Sequence, residues 1–190
     1  KDNQNSLCPE KINLLSKESP LNVKEQIPYP IYKPLSITIS QDNYINIIDG
    51  YNFFKKFDQN YRFVNATGGT GSNISNFKSP KGFSYLDNKF YIADSGNHRI
   101  IIASNNGTHI KHIPYKLDNG SGWGQRDNQF NNPIDIDVDK NGYLYIADQA
   151  NNRIQKFKPY DDAKTVYTLD KIFNVSGNNG KKFIKITSLN

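Results

Sequence analysis

Two stretches of this sequence repeat each other almost residue for residue, and this repetition limits the possible folds more than any other feature. Residues 90–100 read FYIADSGNHRI, and residues 144–154 read LYIADQANNRI. The step between the copies is 54 residues, both from Asp94 to Asp148 and from Arg99 to Arg153. A chain that repeats itself at such a period stacks similar structural units.

Shared features also precede the two copies. Each copy follows an F-x-x-P stretch, at 77–80 and 130–133, and a Gly-rich stretch, at 68–71 and 120–124. A more divergent copy lies upstream, where Asp49 precedes Asp94 by 45 residues and Phe54 stands in the place of the arginine. Units of 45 to 54 residues that each hold several short strands are typical of propeller blades.

The pattern within each unit predicts four strands. Residues 134–138 alternate apolar and polar side chains, and residues 139–142 then supply a tight turn that ends in Asn-Gly. The polar stretch 159–170 reads as an insertion before the last strand of this unit. The predicted strands are 36–40 and 45–49 in the first unit, 82–85, 90–93, 99–104 and 109–115 in the second, and 134–138, 143–147, 153–158 and 171–175 in the third.

The order of these features resembles the NHL repeat family, which is named for an Asn-His-Leu type triplet. Residues 97–99 and 151–153 occupy the place of that triplet, and the similarity covers about residues 33–186. The resemblance implies an all-β fold of the NHL β-propeller type. We predict an N-terminal extended segment at 1–32, blades at 33–76, 77–129 and 130–182, and the start of a fourth blade at 183–190.

The number of blades bears on whether the ring closes within this chain. Propellers of the family commonly have six blades, and three blades leave strand edges open, so we expect the chain to be part of a larger, six-bladed propeller. The alternative is a compact four-bladed ring completed by the N-terminal residues. Four prolines make that segment a poor source of strands: Pro9, Pro20, Pro28 and Pro30.

The residues that define the repeat are interpreted as structural. An aspartate at the end of a strand can accept hydrogen bonds from turn N–H groups or pair with the arginine of the following strand. One such pair in each blade is what a repeat needs for stability. The residues in question are Asp94, Asn97 and Arg99 in one copy and Asp148, Asn151 and Arg153 in the other.

Two acidic residues alternate with isoleucines on the first strand of the third unit. Asp135 and Asp137 therefore share one face of the innermost strand, which faces or flanks the central channel of a propeller. Two carboxylates at this position could bind Ca²⁺ or a basic partner. The alternative is that Asp135 caps the backbone of a neighbouring blade.

The Gly-rich linker between the second and third units contains Trp123 and Arg126. An exposed tryptophan beside an arginine is a candidate contact for a protein or a stacked base. Equally, Trp123 could fill the groove between two blades. Lys156 joins Arg126 as a candidate contact for single-stranded RNA, because RNA binding requires basic side chains on one face.

The histidines do not form a recognisable catalytic or metal set. His98 belongs to the triplet, but Asn152 takes its place in the next copy. The resemblance includes enzymes that gather metal ligands from several blades around the channel, and such a site needs more than one histidine. We therefore predict no catalytic residue, no metal site and no cofactor; Ca²⁺ and Zn²⁺ lack support.

Composition limits the partners only broadly. The net charge of +6 is carried mainly by lysine, in a chain rich in Asn and Ile, and codon bias explains such a composition as well as nucleic-acid binding does. The single cysteine, Cys8, excludes an internal disulfide. No apolar stretch is long enough to span a membrane. Five N-x-S/T triplets, where about three would arise by chance, and a first residue other than Met favour a secretory location.

Three functions are compatible with these observations. The first is a non-catalytic platform that binds a protein, because the repeated residues are structural and no reactive cluster stands out. The second is single-stranded RNA binding, which the basic charge permits. The third is a metal-dependent lyase or hydrolase, whose ligands would have to lie in further blades.

Overall fold

The computed structural model describes residues 31–114 and 122–174. They form three antiparallel sheets of four strands, and in each sheet the order of the strands follows the chain. The predicted all-β propeller architecture is confirmed. Outside these residues lie most of the predicted N-terminal segment and the predicted start of a fourth blade.

The strands are numbered in chain order. The first sheet contains β1 (Pro34–Ile39), β2 (Ile45–Asp49), β3 (Phe53–Phe57) and β4 (Phe63–Gly68). The second sheet contains β5 (Phe83–Leu86), β6 (Lys89–Asp94), β7 (Arg99–Ser104) and β8 (His109–Ile113). The third sheet contains β9 (Pro133–Val138), β10 (Leu144–Asp148), β11 (Arg153–Pro159) and β12 (Tyr167–Asn174).

The same turn follows β6 and β10. A 3₁₀ turn of three residues leads into His98 in one sheet and Asn152 in the other, and both adopt the left-handed conformation, with φ of 54° and 51°. Asparagine tolerates this conformation more readily than most residues. The left-handed residue reverses the chain, so that the next residue, Arg99 or Arg153, begins the following strand opposite Asp94 or Asp148.

The second sheet lies between the other two and buries both of its faces. One face places Phe90 and Ile101 against Ile48 and Phe54 of the first sheet. The other face places Tyr91, Ile100 and Ile102 in a core with residues of the third sheet, among them Ile136, Ile146 and Phe157. This double burial explains the run of consecutive isoleucines in β7, since neither face of that strand meets water.

The innermost strands of the second and third sheets approach closely. The backbone N–H of Gly82 donates to the carbonyl of Ile134 over 3.0 Å. A Cβ at position 82 would lie 1.9 Å from Oδ1 and 2.9 Å from Cα of Asp135, so only glycine fits here. The short stretch before β5 therefore needs a residue without a side chain for the two sheets to pack.

Candidate functional site

The repeated aspartate of each unit collects hydrogen bonds from three directions. In the second sheet, Asp94 Oδ2 accepts from Asn97 Nδ2 at 2.8 Å and Arg99 Nε at 2.7 Å, while Oδ1 accepts from the N–H of Lys78 at 2.7 Å. Burial raises the pKa of Asp94, and the hydrogen bonds and the charge of Arg99 act in the opposite direction. The carboxylate thus joins a strand, a turn and the preceding linker.

The third sheet repeats this arrangement. Asp148 Oδ2 accepts from Asn151 Nδ2 at 2.9 Å and from Arg153 Nε at 2.7 Å, and Oδ1 accepts from the N–H of Asn131 at 2.7 Å. Gln155 adds a further donor to Oδ2 at 3.1 Å. The carboxylates of both sheets are buried and engaged in contacts within the fold.

Each arginine also fixes the linker that precedes its sheet. Arg99 donates to the carbonyls of Ser72, Asn73 and Asn76 over 2.8–3.2 Å. Arg153 makes the equivalent bonds, over 2.8–2.9 Å, to the carbonyls of Gln125, Arg126 and Gln129. The planar guanidinium has donors for a carboxylate and several carbonyls at once, which an ammonium group does not.

In the first sheet, a lysine rather than an arginine pairs with the buried aspartate. Lys55 Nζ lies 2.5 Å from Asp49 Oδ2, and both side chains are buried. The sequence spacing placed Phe54 at the position of the arginines. The register instead places Phe54 opposite Ile48, one residue before Asp49, so Phe54 is not their counterpart. Lys55 lies opposite Ile47, just as Gln155 lies opposite Ile146 in the third sheet. The cation therefore reaches the carboxylate from the position that Gln155 occupies.

Trp123 and Arg126 lie on the linker that Arg153 fixes. We call residues 122–130 the Trp123 loop. Trp123 forms a parallel bridge with Phe130 through the backbone, and its side chain is 59% exposed. Arg126 is also exposed, and its backbone N–H donates to Gln129 Oε1. The structure thus brings these two predicted contact residues together on one surface loop.

Lys156 lies elsewhere, within β11, and is engaged by its own sheet. Its Nζ lies 3.3 Å from Asp170 Oδ2 and sits over the rings of Tyr143 and Tyr145, at 4.2 and 5.5 Å from their centroids. Partial desolvation lowers the pKa of Lys156, but contacts with Asp170 and Tyr145 outweigh it and raise the pKa overall. The contacts of Lys156 are thus with the third sheet, whereas Arg126 is exposed on the loop before it.

Asp135 and Asp137 lie on β9 beside the second sheet. Asp137 Oδ1 accepts from Ser84 Oγ at 3.0 Å and from the N–H of Val138 at 2.8 Å. Asp135 Oδ1 accepts from the N–H of Ile136 and lies against Gly82. Both carboxylates contact the backbone of their own strand and face the innermost strand of the neighbouring sheet.

The histidines occupy two separate places. His98 Nδ1 accepts from the N–H of Asn132 at 3.0 Å, so this nitrogen carries no proton, and desolvation lowers the pKa of the ring. His109 and His112 lie on β8, with Nε2 of the first 3.1 Å from Nδ1 of the second. The sequence pattern does not single out this pair, although the predicted strand at 109–115 contains both residues.

Larger candidate sites are absent from the part of the chain that the structure describes. Within 31–114 and 122–174, no group of three or more His, Cys, Asp or Glu side chains is arranged to hold a metal ion. The same residues include no helix of the length and apolarity needed to cross a membrane.

Comparison with known proteins supports the resemblance noted in the sequence. Residues 130–157 match the family model of the NHL repeat. No curated protein matches the chain. Solved structures with a similar fold include a streptogramin B lyase, at 17% identity with a TM-score of 0.53, over 78% of this chain and 42% of that one.

Two further structures show the same likeness at lower identity. The WD40 repeats of RRP9 share 8% identity, over 83% of this chain and 41% of that one, with a TM-score of 0.59. Hydrazine synthase of Kuenenia stuttgartiensis shares 14% identity, over 80% of this chain and 38% of that one, with a TM-score of 0.52. The chain spans about two fifths of the length of these three structures. Residues 130–157 therefore match an NHL repeat, and the three sheets have the fold of β-propeller blades.

Proposed function

We propose that this chain is a non-catalytic platform that binds a protein partner through the Trp123 loop. The observation that supports the proposal is an exposed tryptophan on a loop that the fold holds in place. Tryptophan and arginine are the residue types most enriched among the side chains that dominate protein interfaces. Trp123 is the only tryptophan of the chain, and Arg126 follows it by three residues.

The rigidity of the Trp123 loop favours binding. Arg153 donates to three of its carbonyls, Asn151 donates to the carbonyl of Gly124 at 2.8 Å, and the N–H of Phe130 donates to Gly122. A loop that is already held in one conformation loses little conformational entropy when a partner docks. The buried ion pair of the repeat thus indirectly supports the contact surface.

The equivalent linker between the first and second sheets lacks the aromatic side chain. Thr70 bridges Phe77 as Trp123 bridges Phe130, and Arg99 fixes that linker as Arg153 fixes the other. The backbone arrangement is therefore common to both linkers, while the large exposed ring belongs to one. A residue that the repeat does not require is a better candidate for binding than one that it does.

The position of Lys156 favours a protein over RNA. RNA binding through Arg126 and Lys156 needs both cations to be available to phosphates. Lys156 is already paired with Asp170 and packed on two tyrosines, which leaves Arg126 as the exposed member of the pair.

The proposal is tested by affinity purification from extracts of the source organism, followed by quantitative mass spectrometry. The bait is the wild-type chain, Trp123→Thr or Arg126→Gln. Trp123→Thr copies the residue of the other linker, so the backbone should be maintained. We expect a defined set of proteins to bind the wild type. The recovered amount of these proteins should fall at least about fivefold with Trp123→Thr, in line with the loss of 1 kcal/mol or more at a hot spot.

Tyr160→Ser serves as the matched control, because Tyr160 is 76% exposed and lies directly after β11, outside the Trp123 loop. Its bound set should equal that of the wild type. Identical sets for all four baits would contradict the proposal. Retention that is abolished by ribonuclease, together with binding of single-stranded RNA at low salt, would favour the RNA-binding alternative.

A further inference from the structure

His109 and His112 form a contact that neither the repeat nor the Trp123 loop uses. Both lie on β8, the outermost strand of the second sheet, and both are half-buried. Ala103 pairs with His109 and Ile102 with Lys111, so Ile110 is the extra residue of a β-bulge. The bulge turns two residues that are three apart to the same side of the strand, where regular alternation would separate them.

The two rings meet through nitrogen atoms. His109 Nε2 lies 3.1 Å from His112 Nδ1, and the ring centroids are 5.3 Å apart. In a pair of neutral imidazoles, one of these nitrogens donates a proton and the other accepts it. If both facing nitrogens carried a proton, the two N–H groups would repel each other, because like partial charges would be in contact.

The surroundings keep both rings neutral near pH 7. Desolvation lowers the pKa of His109 and of His112, and the charges of Arg99 and Lys111 lower both further. The neutral imidazole is the form that ligates metals. Arg99 is itself paired with Asp94 at 2.7 Å, so much of its charge is compensated.

We propose that His109 and His112 together bind one divalent transition-metal ion, such as Zn²⁺, Ni²⁺ or Cu²⁺, with water as the remaining ligands. Bonds of 2.0–2.1 Å at a tetrahedral centre place two ligand nitrogens about 3.3 Å apart. The observed 3.1 Å between the two ring nitrogens is close to this separation, so small rotations of the rings suffice.

The proton balance of this step is simple. The facing nitrogen that carries a proton must lose it before it can bind the ion. That proton moves through solvent to the other nitrogen of the same ring, and both rings then bind as neutral imidazoles. No net proton is released at a pH above both pKa values, and no electron is transferred.

Imidazole ligands also select the class of ion. Ca²⁺ and Mg²⁺ prefer oxygen ligands, whereas Zn²⁺, Ni²⁺ and Cu²⁺ bind imidazole well. Lys111, the one charged residue between the two histidines in sequence, pairs with Ile102 and so alternates to the other side of the strand.

The proposal is tested by calorimetric titration of ZnCl₂ and NiCl₂ into the full chain at pH 7.5. Every protein carries Cys8→Ser, because a cysteine thiolate can also bind these ions. His109→Gln and His112→Gln each remove one ligand, and His98→Gln is the matched control away from the pair. CaCl₂ and MgCl₂ are titrated in parallel.

We expect one Zn²⁺ or Ni²⁺ per chain and no binding of Ca²⁺ or Mg²⁺. Each substitution in the pair should weaken binding by more than the roughly 10–100-fold that loss of an outer-shell partner costs. His98→Gln should bind as the parent does. Lowering the pH far enough to protonate the imidazoles, which their lowered pKa values shift to below the usual value of about 6.5, should weaken binding, because protons then compete with the metal ion.

A second readout covers the case in which a substitution disturbs β8. In the parent protein, saturating Zn²⁺ should shift the ¹⁵N resonances of His109 and His112 and leave those of His98 unchanged. The proposal is overturned if the parent binds neither ion, if binding persists undiminished in a folded His109→Gln or His112→Gln, or if His98 is the residue that shifts.

Discussion

Arg99 performs two tasks with one side chain, and the geometry shows why lysine could not replace it. Its Nε pairs with Asp94, while both terminal nitrogens donate to carbonyls of the preceding linker. The side chain is fully buried, so each carbonyl that loses its donor would also lack water. An ammonium group at this position could satisfy the carboxylate but not the carbonyls around it.

Arg99→Lys should therefore lower the free energy of unfolding by about 3 kcal/mol, since each buried acceptor left unpaired costs about 1–3 kcal/mol. Urea denaturation followed by circular dichroism measures this loss. Arg62→Lys is the control, because Arg62 is exposed and its replacement should change stability by less than about 0.5 kcal/mol. Equal stability of the two variants would show that the carbonyl contacts are dispensable.

The sequence predicted the ion pairs of the second and third sheets but not that of the first. The pairs follow from Asp and Arg five residues apart in two aligned copies. In the first sheet, the turn between β2 and β3 lacks the 3₁₀ element, and Lys55 reaches Asp49 from further along β3. Sequence spacing alone cannot show this ion pair, because its cation comes from the next position on the same face of the strand rather than from the position of the arginines.

At the scale of the element, the close approach of the innermost strands depends on Gly82. The hydrogen bond from Gly82 to Ile134 joins the second and third sheets directly through their backbones. Asp135 fills the space above Gly82, which also explains why this carboxylate lies against the second sheet. A glycine before a strand thus determines how near two blades can come.

Gly82→Ala should destabilise the protein by about 1–3 kcal/mol, the usual cost of inserting an atom into a filled space. Asp135→Ala alone should cost less. The double variant should recover part of the loss, because the clash with the Asp135 carboxylate disappears while the new methyl group still lies 2.9 Å from the backbone of residue 135. A thermodynamic cycle from urea denaturation measures the coupling, and purely additive effects would mean that Gly82→Ala does not clash with the Asp135 side chain.

Strand limits were predictable where hydrophobic alternation was regular and less so where turns intervened. β2 and β7 begin and end as predicted, at Ile45–Asp49 and Arg99–Ser104. β12 begins at Tyr167 rather than at 171, because Asp161 accepts the N–H groups of Thr165 and Val166 and so closes the insertion early. The bulge in β8 left no pattern in the sequence, and the histidine pair was missed for that reason.

At the scale of the whole molecule, the three sheets stack in chain order, and the first strand of the first sheet exposes two isoleucines. Ser36 and Thr38 pair with Ile48 and Asn46, on the face that packs against the second sheet. Ile37 and Ile39 point to the opposite face and are 65% and 64% exposed. Apolar rows of this kind mark surfaces that associate with other protein.

The repeat made this stacking predictable from sequence, whereas the exposure of Ile37 and Ile39 followed only from the register. Alternation in 36–40 predicted a strand with one apolar side, as in the other units. Which side meets the second sheet depends on the packing of Ile48 and Phe54 against Phe90, and this packing joins residues far apart in the chain.

The exposure of Ile37 and Ile39 predicts that the 190-residue chain self-associates, so that its native mass exceeds 21.7 kDa. Ile37→Thr with Ile39→Thr keeps the β-branched side chains that strands favour but makes this face polar. Light scattering after size-exclusion chromatography should show a concentration-dependent mass for the parent and a mass nearer that of the monomer for the double variant. Val64→Thr, at an exposed aliphatic residue of β4, should behave as the parent. A parent that remains at 21.7 kDa at every concentration would contradict self-association through these isoleucines.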